Sequence, residues 1–427
     1  MAVARYARYL KQSNTPPVSR LLIQRRIVAG VPVMNVCIVN SFFPPHVSGS
    51  ARLAFLLSEE LSRRGHRVVV ITSRIGGTHA IERRGTTTIY RLRSMKYPKI
   101  EMLYNADLYY SLLPQNLGRI TGILRQHRID VVQTFGQFQD MTFMTVLACR
   151  ILDIPVALSI HTRMEHPKPL YNDLFAFADK LLVRHLVTHK AKAVVALDRQ
   201  MREYIVERYN VEREVVRFIP TAVDVARFEK CEGRPARRMY ALDDKQSVIL
   251  SLGSYRSPTS LIRALPDVQK KFPRLKLLLV GAIRSAEPVH LVKELGLEKS
   301  VIFTGRVDYG MIPFLLGACN VEGHDLESGT GVGLASLEGM AAGKAVLSSA
   351  REDNFINLKL ENWKNIVLVR PGNIKDISDA LIQLLSDEKL RDNIGRNARA
   401  FVTEHFSIDA ICRSYETLYR DIVGSHA

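Results

Sequence analysis

A glycine-rich loop in front of a helix is the stretch of this 427-residue sequence with the clearest chemical potential. Gly329, Gly331 and Gly333 stand at alternate positions, and a helical pattern follows from Leu334. Such glycines let backbone N–H groups approach a phosphate, and the amino end of a helix adds a positive dipole. The spacing is neither a Walker A loop nor the G-x-G-x-x-G of a dinucleotide site. The glycines alone therefore leave a ligand loop and a plain turn equally open.

Two further features fit the same chemistry. Glu338 lies about one turn into that helix, where its carboxylate can accept hydrogen bonds from vicinal hydroxyls such as those of a ribose. A second loop contains Ser48 and Gly49 and joins the first predicted strand to the first predicted helix. α/β domains present backbone amides to ligands at this position, although an ordinary connecting loop is the alternative.

Strand and helix patterns alternate along the chain, which predicts parallel sheets covered by helices on both faces. The predicted strands are 35–40, 67–72, 88–92, 130–134, 156–160, 193–197 and 215–219, then 247–252, 275–280, 301–303, 345–348 and 366–369. The predicted helices are 51–64, 104–126, 138–152, 169–191 and 198–209, then 258–271, 288–295, 334–342, 374–403 and 408–423. A hinge at 219–224 divides two doubly wound halves, and the carboxyl ends of their strands predict a cleft between them.

Charge is distributed unevenly. The net charge is +18, and residues 1–224 hold 32 Lys+Arg against 17 Asp+Glu, whereas residues 225–427 hold 28 against 25. This asymmetry favours an anionic partner for the first half, with a solvated basic face as the alternative. No nucleic-acid-binding motif occurs, so nucleic acid is not expected. The five cysteines have no metal-ligand spacing and predict buried thiols in a reducing cytosol. No apolar run approaches the roughly 20 residues of a transmembrane helix.

Five motifs in fixed order carry a resemblance to a known family. They are 44–49 (PPHVSG), 61–67 (LSRRGHR), 219–224 (IPTAVD) with Phe228, 303–305 (FTG) and 331–343 (GVGLASLEGMAAG). From Met34 to the last helix, the chain resembles a retaining glycosyltransferase of the GT-B fold, from the group 1, family 4 set. The resemblance implies an α/β protein with two Rossmann-like domains facing each other across a cleft.

The domain limits and the reaction also follow from the resemblance. It implies an acceptor domain at 34–220, a nucleotide-sugar domain at 225–405, and a helix at 406–427 that packs back on the first domain. Residues 1–33 are a basic extension, either an appendage or an overextended start. The implied reaction transfers a sugar, with retention, from a nucleotide diphosphate sugar to a glycan or lipid-linked acceptor, with no metal and no cofactor. Polysaccharide biosynthesis in the cytoplasm is the implied setting.

The family pattern assigns site residues by position. The implied catalytic residues are Arg256 and His161, although a lone histidine such as His161 is as often structural. The implied donor-binding residues are Ser48, Gly49, Glu327, Gly329, Thr330, Gly331, Val332, Gly333, Leu334 and Glu338.

The sequence departs from the family pattern at two places. Thr330 stands where the family has its first glutamate, and Arg256 is the one cation left where the family has an arginine and a lysine. Glu327 could replace the missing glutamate only if the loop is reshaped. The alternative function is therefore a catalytically degenerate nucleotide-sugar-binding or scaffolding member. A nucleotide-sugar epimerase shares the fold but is disfavoured by the ordered motifs.

A basic region precedes an aromatic one in the implied acceptor domain. Residues 51–100 hold eleven Lys+Arg against three acids, and residues 104–113 are rich in tyrosine and leucine. This combination suits peripheral docking on an anionic membrane at the inner face of the cell membrane. The alternative is that Tyr109, Leu112 and Leu113 are core-facing positions of a helix.

Overall fold

The structure is a computed structural model. It describes residues 33–46, 48–98, 109–163, 168–188, 190–253, 258–282, 285–324, 326–327, 329 and 331–424, the side chains of 186–188 excepted. Two parallel sheets with helices on both faces form its framework, which confirms the predicted pair of doubly wound domains.

The first sheet has eight strands in the order β10-β9-β8-β7-β1-β2-β4-β3, and β3 is antiparallel to β4. The strands are β1 (Asn35–Val39), β2 (Arg67–Ser73), β3 (Ile81–Arg84), β4 (Thr87–Leu92), β7 (Val131–Phe135), β8 (Val156–Ile160), β9 (Ala193–Ala196) and β10 (Val216–Phe218). On β1, Val36 pairs with both Val68 and Val131. Nearly continuous apolar strands suit this sheet because both of its faces are buried.

Helices cover both faces of the first sheet. They are α1 (Gly49–Arg63), α2 (Pro114–Gln126), α3 (Asp140–Leu152), α4 (Pro169–Ala178) with a π-helical continuation Asp179–Thr188, and α5 (Arg199–Tyr209). Helix α2 begins later than the predicted 104–126, at a proline that suits a first helical position. Tyr109–Tyr110 instead form β6, which pairs antiparallel with β5 (Met95–Lys96), and residues 104–108 lie outside the described residues.

The second sheet has six parallel strands in the order β13-β12-β11-β14-β15-β16. They are β11 (Val248–Leu252), β12 (Lys276–Val280), β13 (Val301–Gly305), β14 (Val321–Gly323), β15 (Ala345–Ser348) and β16 (Val367–Leu368). The helices are α6 (Arg234–Met239), α7 (Thr259–Lys271), α8 (Glu287–Glu294), α9 (Ile312–Ala318), α10 (Leu334–Ala341), α11 (Ile374–Ser386) and α12 (Glu388–His405), and 3₁₀ turns lie at Val225–Phe228 and Tyr309–Met311.

The last helix, α13 (Ile408–Gly424), returns to the first sheet. Its apolar face, including Tyr415 and Tyr419, is buried in the same core as Val36 and Ile38 of β1. The chain therefore crosses between the two sheets twice. The crossings are joined, because the Val223 N–H donates a backbone hydrogen bond to the Phe406 carbonyl (2.8 Å).

Of the helices that the structure describes, none combines the length and the apolar character that crossing a membrane requires.

Candidate functional site

Each sheet has one place where the strand order reverses, and the loops on either side of it are tied together. In the first sheet this place lies between β1 and β7, and Ser41 N–H donates to Gln139 Oε1 (2.9 Å) across it. In the second sheet it lies between β11 and β14, where Glu327 accepts hydrogen bonds from Thr259 and Ser260. Open α/β sheets bind ligands at these reversal points. In both sheets, the segments that meet at this point are hydrogen-bonded to each other.

Glu338 is the centre of a cluster that joins the two domains. Its buried carboxylate accepts a hydrogen bond from the Tyr309 hydroxyl (2.5 Å). The guanidinium groups of Arg52 and Arg227 lie over the Tyr309 ring, 4.6 and 4.5 Å from its centroid. Arg52 also pairs with Asp224 at 3.5 Å. Because Arg52 lies one turn after Gly49 on α1, the predicted residues Gly49 and Glu338 lie on elements that meet at Tyr309.

Burial raises the pKa of Glu338 to about 7, although the Tyr309 hydrogen bond and the charges of Arg52 and Arg227 act in the opposite direction. This carboxyl group therefore changes charge near neutral pH. Sequence reasoning found Glu338 but missed Arg52, Arg227 and Tyr309, because nothing in their local sequence marks them as partners of a distant carboxylate.

Glu322 on β14 is a second buried carboxyl group close to α10. A Cβ atom added to Gly339 of that helix would lie 3.3 Å from Glu322 Cβ, so glycine allows the strand and helix to pack closely. Burial raises the pKa of Glu322 well above its usual range, and the charge of Glu338 adds to the shift. Neither of its carboxylate oxygens makes a well-formed hydrogen bond to a described residue. Burial therefore favours the protonated form of Glu322.

The glycine loop packs against a buried asparagine. Gly331 has φ +109°, and a Cβ atom there would lie 2.3 Å from Asn354 Oδ1. Gly329 has φ +62°, and its N–H donates to Ser349 Oγ (3.1 Å). Gly333 directly precedes α10 in an extended conformation, with no side chain capping the helix. No side chain therefore competes with an anion for the first N–H groups of α10, and the ligand loop stays a prediction.

The neighbouring predicted residues have apolar or peripheral positions. Val332 is buried in the second domain's core and Leu334 packs partly against that core, so any contact of theirs to a donor would come from the backbone. Glu327 uses both carboxylate oxygens at the start of α7, where Thr259 Oγ1 and Ser260 Oγ donate to it at 2.8 and 2.6 Å. Thr330 and Arg256 lie outside the described residues.

The first loop presents the start of α1. Ser48 Oγ accepts a hydrogen bond from Ala51 N–H (3.2 Å) and so caps the helix. A Cβ atom on Gly49 would meet nothing within 4 Å, which leaves open space beside the helix terminus. The Arg91 guanidinium donates a hydrogen bond to the Pro44 carbonyl of this loop (2.8 Å). This contact therefore holds the Pro44 end of the loop, while Gly49 stays exposed.

His161 directly follows β8 at the carboxyl edge of the first sheet. Its ring packs edge-on against Phe135, with centroids 5.3 Å apart, and burial lowers its pKa to about 4. The imidazole is therefore neutral at pH 7. Within the described part of the chain, its buried Nε2 has no hydrogen-bond partner.

A short relay connects the loop after His161 with the glycine loop. Arg163 donates to Gln200 Oε1 (2.7 Å), and Gln200 Nε2 donates to the Gly329 carbonyl (3.1 Å). The next contact along this junction is a hydrogen bond from Arg199 N–H to the Asn354 carbonyl (2.9 Å). These residues bring the two domains together and were not found from the sequence, because their partners are remote in the chain.

No group of three or more His, Cys, Asp or Glu side chains among the described residues is arranged to hold a metal ion.

Two sequence models match successive parts of the chain. Residues 47–227 match the family described as Glycosyltransferase Family 4, and residues 234–401 match Glycosyl transferases group 1. An uncharacterised glycosyltransferase of Methanocaldococcus jannaschii is 25% identical over 398 residues, which cover 91% of this chain and 98% of the relative. N-acetyl-alpha-D-glucosaminyl L-malate synthase of Bacillus anthracis is 23% identical over 398 residues, covering 89% and 95%. Alpha-monoglucosyldiacylglycerol synthase of Streptococcus pneumoniae is 24% identical over 357 residues, covering 77% and 74%.

Solved structures show the same fold. A glycosyltransferase from Rickettsia africae superimposes with a TM-score of 0.69 at 18% identity, covering 92% of this chain and 99% of the other. Anabaena HepE in complex with UDP-glucose gives a TM-score of 0.66 at 17% identity, covering 90% and 99%. At these identities the likeness establishes the architecture and leaves the substrates open.

Proposed function

This chain belongs to the group 1 glycosyltransferases, and from that membership we propose that it transfers a sugar from a nucleotide diphosphate sugar to a glycan or lipid-linked acceptor, with retention. The observation that carries the proposal is the Glu338 cluster. A buried carboxylate that can accept from a ribose stands on the helix whose free amino end faces the glycine loop. Arg52 links this carboxylate to the loop of the other domain.

In the proposed reaction, the bond between the sugar's anomeric carbon and the diphosphate oxygen breaks, and a bond to the acceptor oxygen forms on the same face. The departing phosphate takes the acceptor's proton, so no dedicated base is required. The N–H groups of the glycine loop, the amino ends of α1 and α10, and Arg256 would stabilise the negative charge that develops on the diphosphate. The neutral His161 would donate a hydrogen bond rather than act as a cation.

A donor screen tests this proposal. Thermal shift against UDP-, GDP- and ADP-sugars identifies the nucleotide, and donor hydrolysis by the purified protein shows turnover. Glu338→Gln should weaken binding of that donor by about tenfold or more, because hydrogen bonds to a charged group contribute about 1.5–3 kcal/mol. Glu404→Gln, at an exposed glutamate of α12, is the matched control and should bind normally.

The same screen separates the two functions that the sequence leaves open. A nucleotide sugar that binds without turnover, with no gain from Thr330→Glu, would favour the scaffolding alternative. Failure of every nucleotide sugar to bind would overturn the proposal.

A further inference from the structure

The segment formed by α4 and its π-helical continuation exposes a row of large apolar side chains. Leu170, Leu174, Phe177 and Leu181 are 75%, 49%, 64% and 54% exposed. Their spacing places them along one face, and at 1.5 Å per residue the row is about 16 Å long. Large apolar side chains gathered in one row mark an interaction surface, whereas single exposed ones need no explanation. We call this row the apolar face.

The opposite side of the segment is firmly packed. Phe175 and Val183 are buried, and Asp179 accepts hydrogen bonds from Tyr209 (2.9 Å) and Arg208 (2.8 Å) of α5. The segment is therefore anchored to the domain through its inner side, so exposure of the apolar face is a property of the docked helix.

Exposed lysines precede, interrupt and follow the segment that carries the apolar face. Lys168, Lys180 and Lys190 are exposed, whereas Asp173 is the one exposed acid among the described side chains of 168–192. An amphipathic helix with an apolar row and flanking lysines has the composition that inserts at the boundary between lipid headgroups and acyl chains. Each lysine adds attraction to an anionic leaflet.

We propose that the apolar face docks this protein on an anionic lipid bilayer and that the bilayer presents the acceptor; the second part rests on the proposed lipid-linked acceptor. Helix α4 begins a few residues after His161, on the same connection whose Arg163 reaches Gln200 and, through it, Gly329. The segment that carries the apolar face thus follows, in sequence, a residue that reaches the junction between the domains.

Charge argues against the other occupants of this face. Residues 1–32 contain six Lys+Arg and no acid, so the lysines bordering the face repel them. A second copy of the chain would bring the same lysines against each other. The basic region 51–100 is also a weaker docking surface, because several of its arginines are paired internally, among them Arg63 with Glu60, Arg64 with Glu416, and Arg84 and Arg91 with Glu82.

Vesicle flotation tests the proposal. The full chain is mixed with vesicles of phosphatidylcholine alone or with phosphatidylglycerol added. The wild type should float with the anionic vesicles, and Leu174→Ser/Phe177→Ser should reduce the partition coefficient by at least about tenfold. Ile81→Ser/Met239→Ser removes two exposed apolar side chains elsewhere and should leave flotation unchanged. Lys168→Gln/Lys180→Gln should reduce binding at low salt only.

Three outcomes would overturn the proposal: no flotation of the wild type, equal flotation of the Leu174/Phe177 variant, or a wild-type dimer in sedimentation that this variant converts to monomer while flotation persists. Donor hydrolysis in the same samples separates this proposal from the proposed function. The apolar-face variant should hydrolyse the donor normally, because its substitutions lie away from the Glu338 cluster. Flotation without donor hydrolysis would leave the docking surface in place and remove the proposed reaction.

Discussion

Two buried carboxyl groups, Glu322 and Glu338, lie on opposite sides of the contact between β14 and α10. The pKa of Glu322 is raised by burial and by the charge of Glu338, which favours its protonated form. Glu338 has a hydroxyl and two guanidinium groups beside it, so its pKa of about 7 lets it ionise when a donor supplies further hydrogen bonds. The arrangement lets Glu338 change its charge near neutral pH, whereas burial favours the protonated form of Glu322.

Donor binding should therefore strengthen as pH rises through about 7, because ribose hydroxyls donate to the ionised Glu338 carboxylate. Isothermal titration in two buffers of different ionisation enthalpy should detect proton release on binding at pH 6.5. A nucleotide sugar is the suitable ligand, since its diphosphate does not titrate in this range. Glu338→Gln should show weak binding that does not vary with pH. A wild type whose affinity is constant between pH 6 and 8 would contradict the assignment.

The stability of the ligand-free protein should change with pH in the opposite direction to its affinity for the donor. The folded pKa of Glu338 lies above the ordinary value of 4.5, so the folded state binds more protons than the unfolded state. The free energy of unfolding of the ligand-free protein should thus fall as pH rises from about 4.5 to 7, and Glu338→Gln should reduce that fall. The ionisation of Glu338 that favours donor binding therefore lowers the free energy of unfolding of the ligand-free protein.

For single residues, sequence patterns show where a residue of a given type lies in the chain, but not which distant residue it contacts. The glycine loop and Glu338 could be found because glycine spacing and a helix start are local signals. Tyr309 and Asn354 could not, because their roles depend on contacts with Glu338 and Gly331 that only the folded chain creates.

Among the elements, α13 depends on a buried polar network for its attachment to the first domain. Glu416 accepts hydrogen bonds from Arg64 (2.7 Å), and its other oxygen lies 3.0 Å from His66 Nε2. The Met34 N–H in turn donates to His66 Nδ1 (3.1 Å). The R-G-H motif of the sequence thus has a structural use, since it holds the last helix against β1 and α1.

Substitution of Glu416 should weaken the attachment of α13 to the first domain. Burial alone would raise the pKa of Glu416, but the His66 hydrogen bond and the Arg64 charge outweigh it and lower the pKa. Its contribution is therefore present above about pH 4.5 and is lost as pH falls through the folded pKa. Glu416→Ala should cost about 1.5–3 kcal/mol at pH 7, because it removes a charged hydrogen-bond partner from Arg64, which keeps Glu60 and Asp409.

Urea unfolding at pH 7 and pH 4 measures this loss, with Glu404→Ala as the exposed control. The difference in free energy of unfolding between wild type and Glu416→Ala should be smaller at pH 4 than at pH 7. If this difference in free energy of unfolding is the same at both pH values, the charge of the Glu416 carboxylate does not hold α13 in place.

The elements themselves were largely predictable, and the misses have physical causes. Apolar, β-branched runs that alternate with helix patterns identified most of the parallel strands, whereas β14 was missed because it is three residues long and contains a glutamate. The predicted helix 374–403 is two helices, since Asp387 has an extended backbone and caps α12 through Leu390 N–H (2.9 Å). Helix periodicity continues across such a break, so the pattern alone does not show it.

For the whole molecule, two kinds of contact hold the domains together. The linker around Val223 and the return crossing at Phe406 are hydrogen-bonded to each other and form the fixed side. Across the site, the contacts are individual ones, among them Arg52 on Tyr309, Gln200 on Gly329 and the hydrogen bond from Arg199 N–H to the Asn354 carbonyl. A joint that is continuous in the chain on one side and made of separate contacts on the other can open at the site while the crossings stay in place.

Gln200→Ala should therefore shift the ligand-free protein toward an open arrangement. The substitution removes both the hydrogen bond to the Gly329 carbonyl and the acceptor for Arg163, at about 1 kcal/mol each. Small-angle scattering should show a larger radius of gyration without donor, and KM for the donor should rise several-fold because closure costs more binding energy. Gln126→Ala, at an exposed glutamine of α2, is the control. An unchanged radius of gyration and KM, with only the melting temperature lowered, would mean that Gln200 stabilises the fold without governing how the domains close.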